Sequence, residues 1–288
     1  MTKVNCLIIN HNTSALAAVA LASVVLSTER WSRDDLKITV MDNSSTDPDV
    51  DVIKSLAEQL DVPFLPSRWP HPGATIAARR LDSTGDCLRD FVLDNQNCDY
   101  YWLVDSDVEI PSPGVLDSLV AAMEANGSIW AATATMTRSD DADLWAQINF
   151  GDVIEMAIER SRGGRNGPSR KEFKGPLHVR SPHACTLLRR DEVIVSLARH
   201  VGMSPVAVMS GDPNIGGFYD TFGMFTRVLT ALGRTYVTVD APVLHAEGGS
   251  WAAHAYPDRA ERARQRLTEL THALASGNHG VSDASRAS

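Results

Sequence analysis

Tyr100-Tyr101-Trp102-Leu103-Val104-Asp105-Ser106-Asp107 sets five consecutive apolar or aromatic residues against two carboxylates separated by one serine. A run without polar alternation suits a strand buried on both faces, as in a parallel sheet covered by helices on each side. The carboxylates then leave the sheet at the carboxyl end of that strand, where open α/β sheets bind ligands. Two carboxylates this close repel each other. An oxygen-seeking divalent cation removes the repulsion and keeps positions open for diphosphate oxygens. A solvated acidic turn fits the same eight residues, so the surrounding chain has to decide.

Toward the N-terminus, the branched apolar run Val4 to Asn10 is followed by the cap signal Asn12-Thr13-Ser14 and an alanine- and leucine-rich helical stretch to about Ser27. Leu36 to Met41 is a second strand. It ends in Asp42-Asn43-Ser44-Ser45-Thr46-Asp47-Pro48, and a helix follows from Val50 to Leu60. Two successive βα units predict a parallel sheet. Asp42 at that strand end can accept from a base N–H such as that of uracil, or it can cap the next helix. Val62 to Leu65 is a third strand, and helical spacing runs from Ala74 to about Asn95.

On the other side, Pro111 and Pro113 open a helix to about Asn126, and Ile129 to Met136 is a strand. The stretch from Arg160 to Gly175 is rich in glycine, arginine, serine and lysine without apolar period, and is expected to be a mobile loop able to fold over a diphosphate. Then come a strand near Cys185 to Leu188, a helix from Asp191 to about His200, and a helical segment around Asp220 to Leu232. Strands at Tyr236 to Val239 and Val243 to His245 follow, with residues 276–288 expected to be disordered.

The chain has 288 residues, a formal net charge of -9 and a pI near 5.4. That balance argues against a nucleic acid partner, which needs a basic surface. Cys6, Cys87, Cys98 and Cys185 are scattered, which signals neither a zinc site nor a disulfide framework, and a cytoplasmic location is expected. The apolar stretch Ala15 to Leu26 follows a polar segment and is too short to span a bilayer, so no integral membrane segment and no signal peptide are expected.

The order of these segments resembles the family 2 glycosyltransferases of the GT-A fold. The first strand and turn are Leu7-Ile8-Ile9-Asn10-His11-Asn12, with His11 where that family usually has an aromatic ring; the second strand ends in Asp42 with small polar residues. Gly73 to Ala78-Arg79-Arg80 resembles the Gly-rich turn and its arginine, Asp105-Ser106-Asp107 the Asp-x-Asp motif, and Ala184 to Arg190 a strand ending in paired arginines. Gly217-Phe218-Tyr219-Asp220 to Arg227, and Val243-Leu244-His245 before Gly248-Gly249-Ser250, resemble the last block.

The resemblance implies a three-layer α/β/α fold with a mainly parallel central sheet, in one domain over residues 1–275. Residues 1–110 form the nucleotide-binding half and residues 111–275 the acceptor-side half. It implies a nucleotide-sugar donor, UDP-sugar before GDP- or dTDP-sugar, a small-molecule or glycan acceptor, and a divalent metal, manganese before magnesium. Asn10, His11, Asp42, Gly73, Arg79, Asp105 and Ser106 would hold the nucleotide, Asp107 and His245 the metal. Asp220 would be the general base of an inverting displacement. The family pattern departs at that base, because Asp220-Thr221 stands where an acidic pair is usual and Gly223 where another aspartate is common. A sugar-nucleotide binder without turnover and a sugar-phosphate nucleotidyltransferase are the rival functions. Trp130, Trp145 and Trp251 have sugar stacking or core packing as alternative roles.

Overall fold

The computed structural model describes residues 2–43, 45–66, 77–138, 177–178, 185–200, 206–208, 218–220, 228–229, 231–245 and 258–277. The order begins β1 (Val4–Asn10), α1 (Ser14–Ser27), β2 (Leu36–Asp42), α2 (Val50–Gln59), β3 (Phe64–Pro66), α3 (Ala77–Asp94), β4 (Tyr100–Asp105) and β5 (Val108–Glu109). It continues with α4 (Val115–Ala125), β6 (Ile129–Arg138), β7 (Leu177–His178), β8 (Cys185–Arg189), α5 (Glu192–His200), β9 (Val206–Val208), β10 (Phe218–Asp220), β11 (Thr235–His245) and α6 (Arg259–Gly277).

Among the described residues nine strands form one sheet in the order β3-β2-β1-β4-β8-β6-β11-β5, with β7 also on β11. The side built from the first βα units, β3-β2-β1-β4, is parallel throughout. β8 enters antiparallel to both β4 and β6, while β6 and β11 are parallel to each other. Strand residues alternate between two apolar layers, as a period of two requires. Cys6, Ile8, Trp102 and Val104 face a core shared with α1, α2, α4 and α6. Leu7, Tyr101 and Leu103 face a second core with α3 and α5. The result is the expected three-layer arrangement.

α1 explains the apolar stretch that resembles a signal-peptide core. It is buried on nearly all sides, because the sheet covers one face and α6 packs on another. Leu21 is fully buried there, and truncating such a leucine to alanine costs about 2–5 kcal/mol.

Several boundaries differ from the sequence expectation for identifiable reasons. Val62 belongs to the end of α2: Asp61 takes a left-handed φ of 55°, Val62 N donates to Ala57 O at 2.8 Å and Asp61 N to Glu58 O at 3.1 Å. This is a Schellman closure, and β3 starts only after it. α4 begins at Val115 because Gly114, at φ 95°, turns the chain at its N-cap. Phe218–Asp220 is a strand paired antiparallel with Val206–Val208, and among the described residues of that stretch 228–229 and 231 are helical. The two late strands are one element, β11, whose register to β6 shifts between Val239 and Pro242; proline has no N–H for a ladder, so the irregularity falls beside it. α6 had no counterpart in the sequence expectation. The 160–175 loop, Trp145, Trp251, Gly73 and residues 278–288 lie outside the described residues.

Candidate active site

The carboxyl ends of β2, β1 and β4 assemble the first motifs by register alone. Asn10 is the partner of Asp42 and Ile9 the partner of Asp105, so Asp42, Asn10 and Asp105 close three adjacent strands. Asp42 and Asp105 stand two strand spacings apart, about 10 Å, a span that a nucleoside bridges between its base and its phosphates.

Asn10 is the hub of this edge. Its side chain is fully buried, and Nδ2 donates to Ser14 Oγ (2.8 Å), Asp42 Oδ1 (2.9 Å) and Ser45 Oγ (3.0 Å). Ser14 Oγ donates in turn to Asp47 Oδ2 (2.7 Å), Ser45 N donates to Asp42 Oδ2 (3.1 Å), and Thr46 N donates to Asn12 Oδ1 (2.7 Å). The loop after β2 is thereby folded onto the turn after β1. Asn12 sits at φ 54°, a conformation asparagine tolerates because its amide bonds locally. Among the described residues each Asp42 oxygen has one protein donor, which leaves a second lone pair that can accept from a base N–H.

His11 Nδ1 lies 2.7 Å from Asn43 O. A carbonyl only accepts, so Nδ1 carries a proton, and in the neutral ring Nε2 is then an acceptor. Nε2 is buried and has no hydrogen-bond partner among the described residues. Thr13 Oγ1 and Ser106 Oγ are 2.8 Å apart, and Thr13 Oγ1 also donates to Asn10 Oδ1 at 3.4 Å. One polar chain thus runs from the acid motif through Thr13 and Asn10 to Asp42 and Asp47.

Asp105 is open to solvent on one side, yet its carboxyl is pushed up from 3.8 to about 8, first by desolvation and second by the charge of Asp107. The two facts describe a carboxylate that water reaches from the cleft while protein replaces water on its other sides. Beneath it the buried Cys185 thiol accepts from Trp102 Nε1 (3.4 Å) and is pushed up to about 12, mainly by burial, with a smaller contribution from the Asp105 charge. A divalent cation beside Asp107 would offset the charge of Asp107, the smaller of the two causes that hold a proton on Asp105, and would itself favour the ionised carboxylate, so this donor set suits a hard cation.

His245 ends β11, and its backbone is the antiparallel partner of Val108, the residue after Asp107. The sheet therefore carries the last candidate ligand to the acid motif from far along the chain. The described side chains contain no assembled group of three or more His, Cys, Asp or Glu that could hold a metal; they include Asp105 and Asp107 but not His245. Arg79 lies in the first turn of α3. Asp220 ends β10, in the separate β9-β10 ribbon rather than in the sheet that carries the acid motif. Trp130 is fully buried and packs edge-on against Tyr236, ring centroids 5.6 Å apart, so it is a core residue.

Sequence reasoning treated Thr13, Ser14, Ser45 and Asp47 as cap and turn residues. Their clustering at two neighbouring strand ends was the available signal that they form one network.

A three-layer α/β/α sheet whose carboxyl edge carries Asp42, Asn10 and the Asp105-Ser106-Asp107 motif at the ends of β2, β1 and β4 matches the GT-A class of glycosyltransferase fold. The family model described as glycosyl transferase family 2 matches residues 6–194, and the chain belongs to that family. A search of curated proteins found no match. Among solved structures, glucosyl-3-phosphoglycerate synthase from Mycobacterium tuberculosis, in complex with Mn2+, UDP and glucosyl-3-phosphoglycerate, is 13% identical. The match covers 93% of this chain and 80% of that one, at a TM-score of 0.51. The mannosyltransferase PcManGT from Pyrobaculum calidifontis, in complex with GDP-Man and Mn2+, is 14% identical over 95% of this chain and 75% of that one, at a TM-score of 0.52. At these identities the likeness establishes the fold. Among the described residues no helix is long and apolar enough to cross a membrane.

Proposed function

We propose that this chain is a metal-dependent, inverting glycosyltransferase that moves a hexosyl group from a nucleoside-diphosphate sugar, UDP-sugar before GDP- or dTDP-sugar, to the hydroxyl of a small-molecule or glycan acceptor. The observation that carries the reading is the alignment of Asp42, Asn10 and Asp105 at three adjacent strand ends, with burial first and the Asp107 charge second raising the proton affinity of Asp105. The structural neighbours solved with Mn2+ and UDP or GDP-Man support the same donor class.

In this reading Asp42 accepts from the base, and the buried His11 Nε2 takes a donor from the nucleoside. Asp105 and Ser106 hold the ribose side, while Gly73 and Arg79 approach the diphosphate. Asp107 and His245 would hold a divalent cation, Mn2+ before Mg2+, which supplies Lewis-acid neutralisation of the leaving diphosphate. Asp220 takes the proton of the acceptor hydroxyl. That oxygen bonds to the anomeric carbon on the face opposite the diphosphate, the bond from carbon to phosphate oxygen breaks, and the configuration inverts. We assign residues 1–275 to one catalytic domain. A reducing cytoplasm fits four free, buried cysteines.

The test is direct. The chain is incubated with Mn2+ and a panel of UDP-, GDP- and dTDP-sugars, donor binding is read by thermal shift, and nucleoside diphosphate release is read with candidate acceptors. No stabilisation by any donor with Mn2+ refutes the reading. Stabilisation without turnover across a broad acceptor panel favours a binding protein.

A further inference from the structure

α6 lies beyond the segment matched by the family model, which ends at residue 194. Its apolar stripe, Ala263, Leu267, Leu270 and Leu274, packs into the core that contains α1. At 3.6 residues per turn, Arg264 and Arg266 fall on opposite flanks of that stripe. Each reaches a different strand-end segment of the candidate site.

Arg264 grips Asp49 bidentately, Nε to Oδ1 at 2.8 Å and Nη2 to Oδ2 at 2.9 Å. Asp49 sits at the N-cap of α2 but makes no side-chain cap bond, its two oxygens being held by Arg264. Its own backbone N donates to Asp47 Oδ1 at 3.1 Å, and Asp47 is the far end of the Asn10 network. On the other flank, Arg266 Nε and Nη2 both donate to Glu109 Oε1, at 3.0 and 2.7 Å, while Nη1 pairs with Glu269. Glu109 belongs to β5, the two-residue strand immediately after the acid motif, whose register fixes Val108 against His245 and Glu109 against Leu244. The carboxylates of Asp49 and Glu109 are largely buried, 10% and 14% exposed, while each arginine side chain is 43% exposed, so solvent reaches the contacts only from the arginine side.

A strand of two residues has too few ladder bonds to hold itself. Ile110 N donates to Ser23 Oγ of α1 at 3.0 Å, which ties the strand's exit, and Arg266 ties the strand itself. We propose that α6 is a strut for the donor site: Arg266, through Glu109, is a positioning residue that holds the acid motif and His245 in register, and Arg264, through Asp49, positions the nucleoside loop. This rests on the donor-site reading above.

The test measures UDP affinity of the full chain by calorimetry, once with saturating Mn2+ and once in excess chelator, well below each variant's melting temperature. Arg266→Ala and Glu109→Gln should each weaken the Mn2+-dependent part of binding by about three- to thirtyfold. The double variant should be no weaker than the worse single variant, because both remove one contact. Arg264→Ala should weaken UDP binding in both conditions. Arg262→Ala, which removes an exposed pair with Asp258 on the same helix, should match the parent. A general loss of packing would lower both conditions together in Arg266→Ala and Glu109→Gln as well, so a loss confined to the metal-dependent part in those two, beside a loss in both conditions in Arg264→Ala, separates positioning from mere stability. If Arg266→Ala does not fold, Glu109→Gln, which keeps size and removes charge, carries the test. Metal-dependent binding equal to the parent in Glu109→Gln overturns the strut. A parent that binds neither UDP nor GDP with Mn2+ instead overturns the donor-site reading itself, and the strut with it.

Discussion

Asp105→Asn is expected to stabilise the metal-free protein while abolishing its response to metal and nucleotide. The folded carboxyl titrates near 8 against an ordinary value of 3.8, so the folded chain holds this proton more tightly than the unfolded chain. The sign follows from that order. The stabilising contribution is complete below about pH 4 and is lost as pH rises through 8, because ionising Asp105 costs more in the folded state. At about 1.4 kcal/mol for each tenfold change in proton affinity, the full interval sets an upper bound of about 6 kcal/mol. The solvent-open side of the carboxylate screens much of this, leaving about 1–2 kcal/mol at pH 8.5. For a chain of this size that is about 2–8 °C in melting temperature. The assay is differential scanning fluorimetry of parent and variant in chelator from pH 4.5 to 8.5. The variant should melt higher at pH 8.5, with the gap closing toward pH 4.5. Mn2+ with UDP at a hundred times its dissociation constant should add about 2.7 kcal/mol to the parent and little to the variant, reversing the order. A variant that melts below the parent at pH 8.5, or a gap that ignores pH, refutes the desolvation argument.

Asp220→Asn should lower turnover by about 10²- to 10⁴-fold with donor affinity nearly unchanged, as loss of a positioned general base does, whereas Asp107→Asn should weaken metal-dependent donor binding; steady-state kinetics with calorimetry separates the two. His245→Ala should reduce the preference for Mn2+ over Mg2+, since an imidazole suits a transition metal, and an unchanged metal profile removes His245 from the site. Asp61→Gly should raise stability by up to about 1 kcal/mol, because glycine takes the left-handed turn after α2 without strain, and its exposed pair with Arg33 contributes little. Cys6, Cys98 and Cys185 are buried with thiols pushed up, Cys98 to about 11 and Cys185 to about 12, so mass spectrometry after iodoacetamide at pH 8 should find them unmodified in the folded chain and modified after denaturation.

The chain itself determined the βα order, the strand cores and the family. Period-two and period-3.6 patterns are local, and Asp42 and Asp105 each follow an apolar run that identifies its strand end within a few residues. α6 was also legible in principle, through Ala263, Leu267, Leu270 and Leu274 at helical spacing among charged neighbours. What the sequence could not supply was any relation between distant segments. Asn10 against Asp42, Ile9 against Asp105 and His245 against Val108 are registers, set by which strand ends up beside which, and no local propensity encodes them. The raised proton affinity of Asp105 likewise needs the protein that displaces water around it. The pairing of Arg264 with Asp49 and Arg266 with Glu109 arises only because α6 returns across α1 to the start of the sheet. Two arginines that in the sequence are part of an ordinary charged helix face become, in three dimensions, the groups that hold two strand-end segments in place.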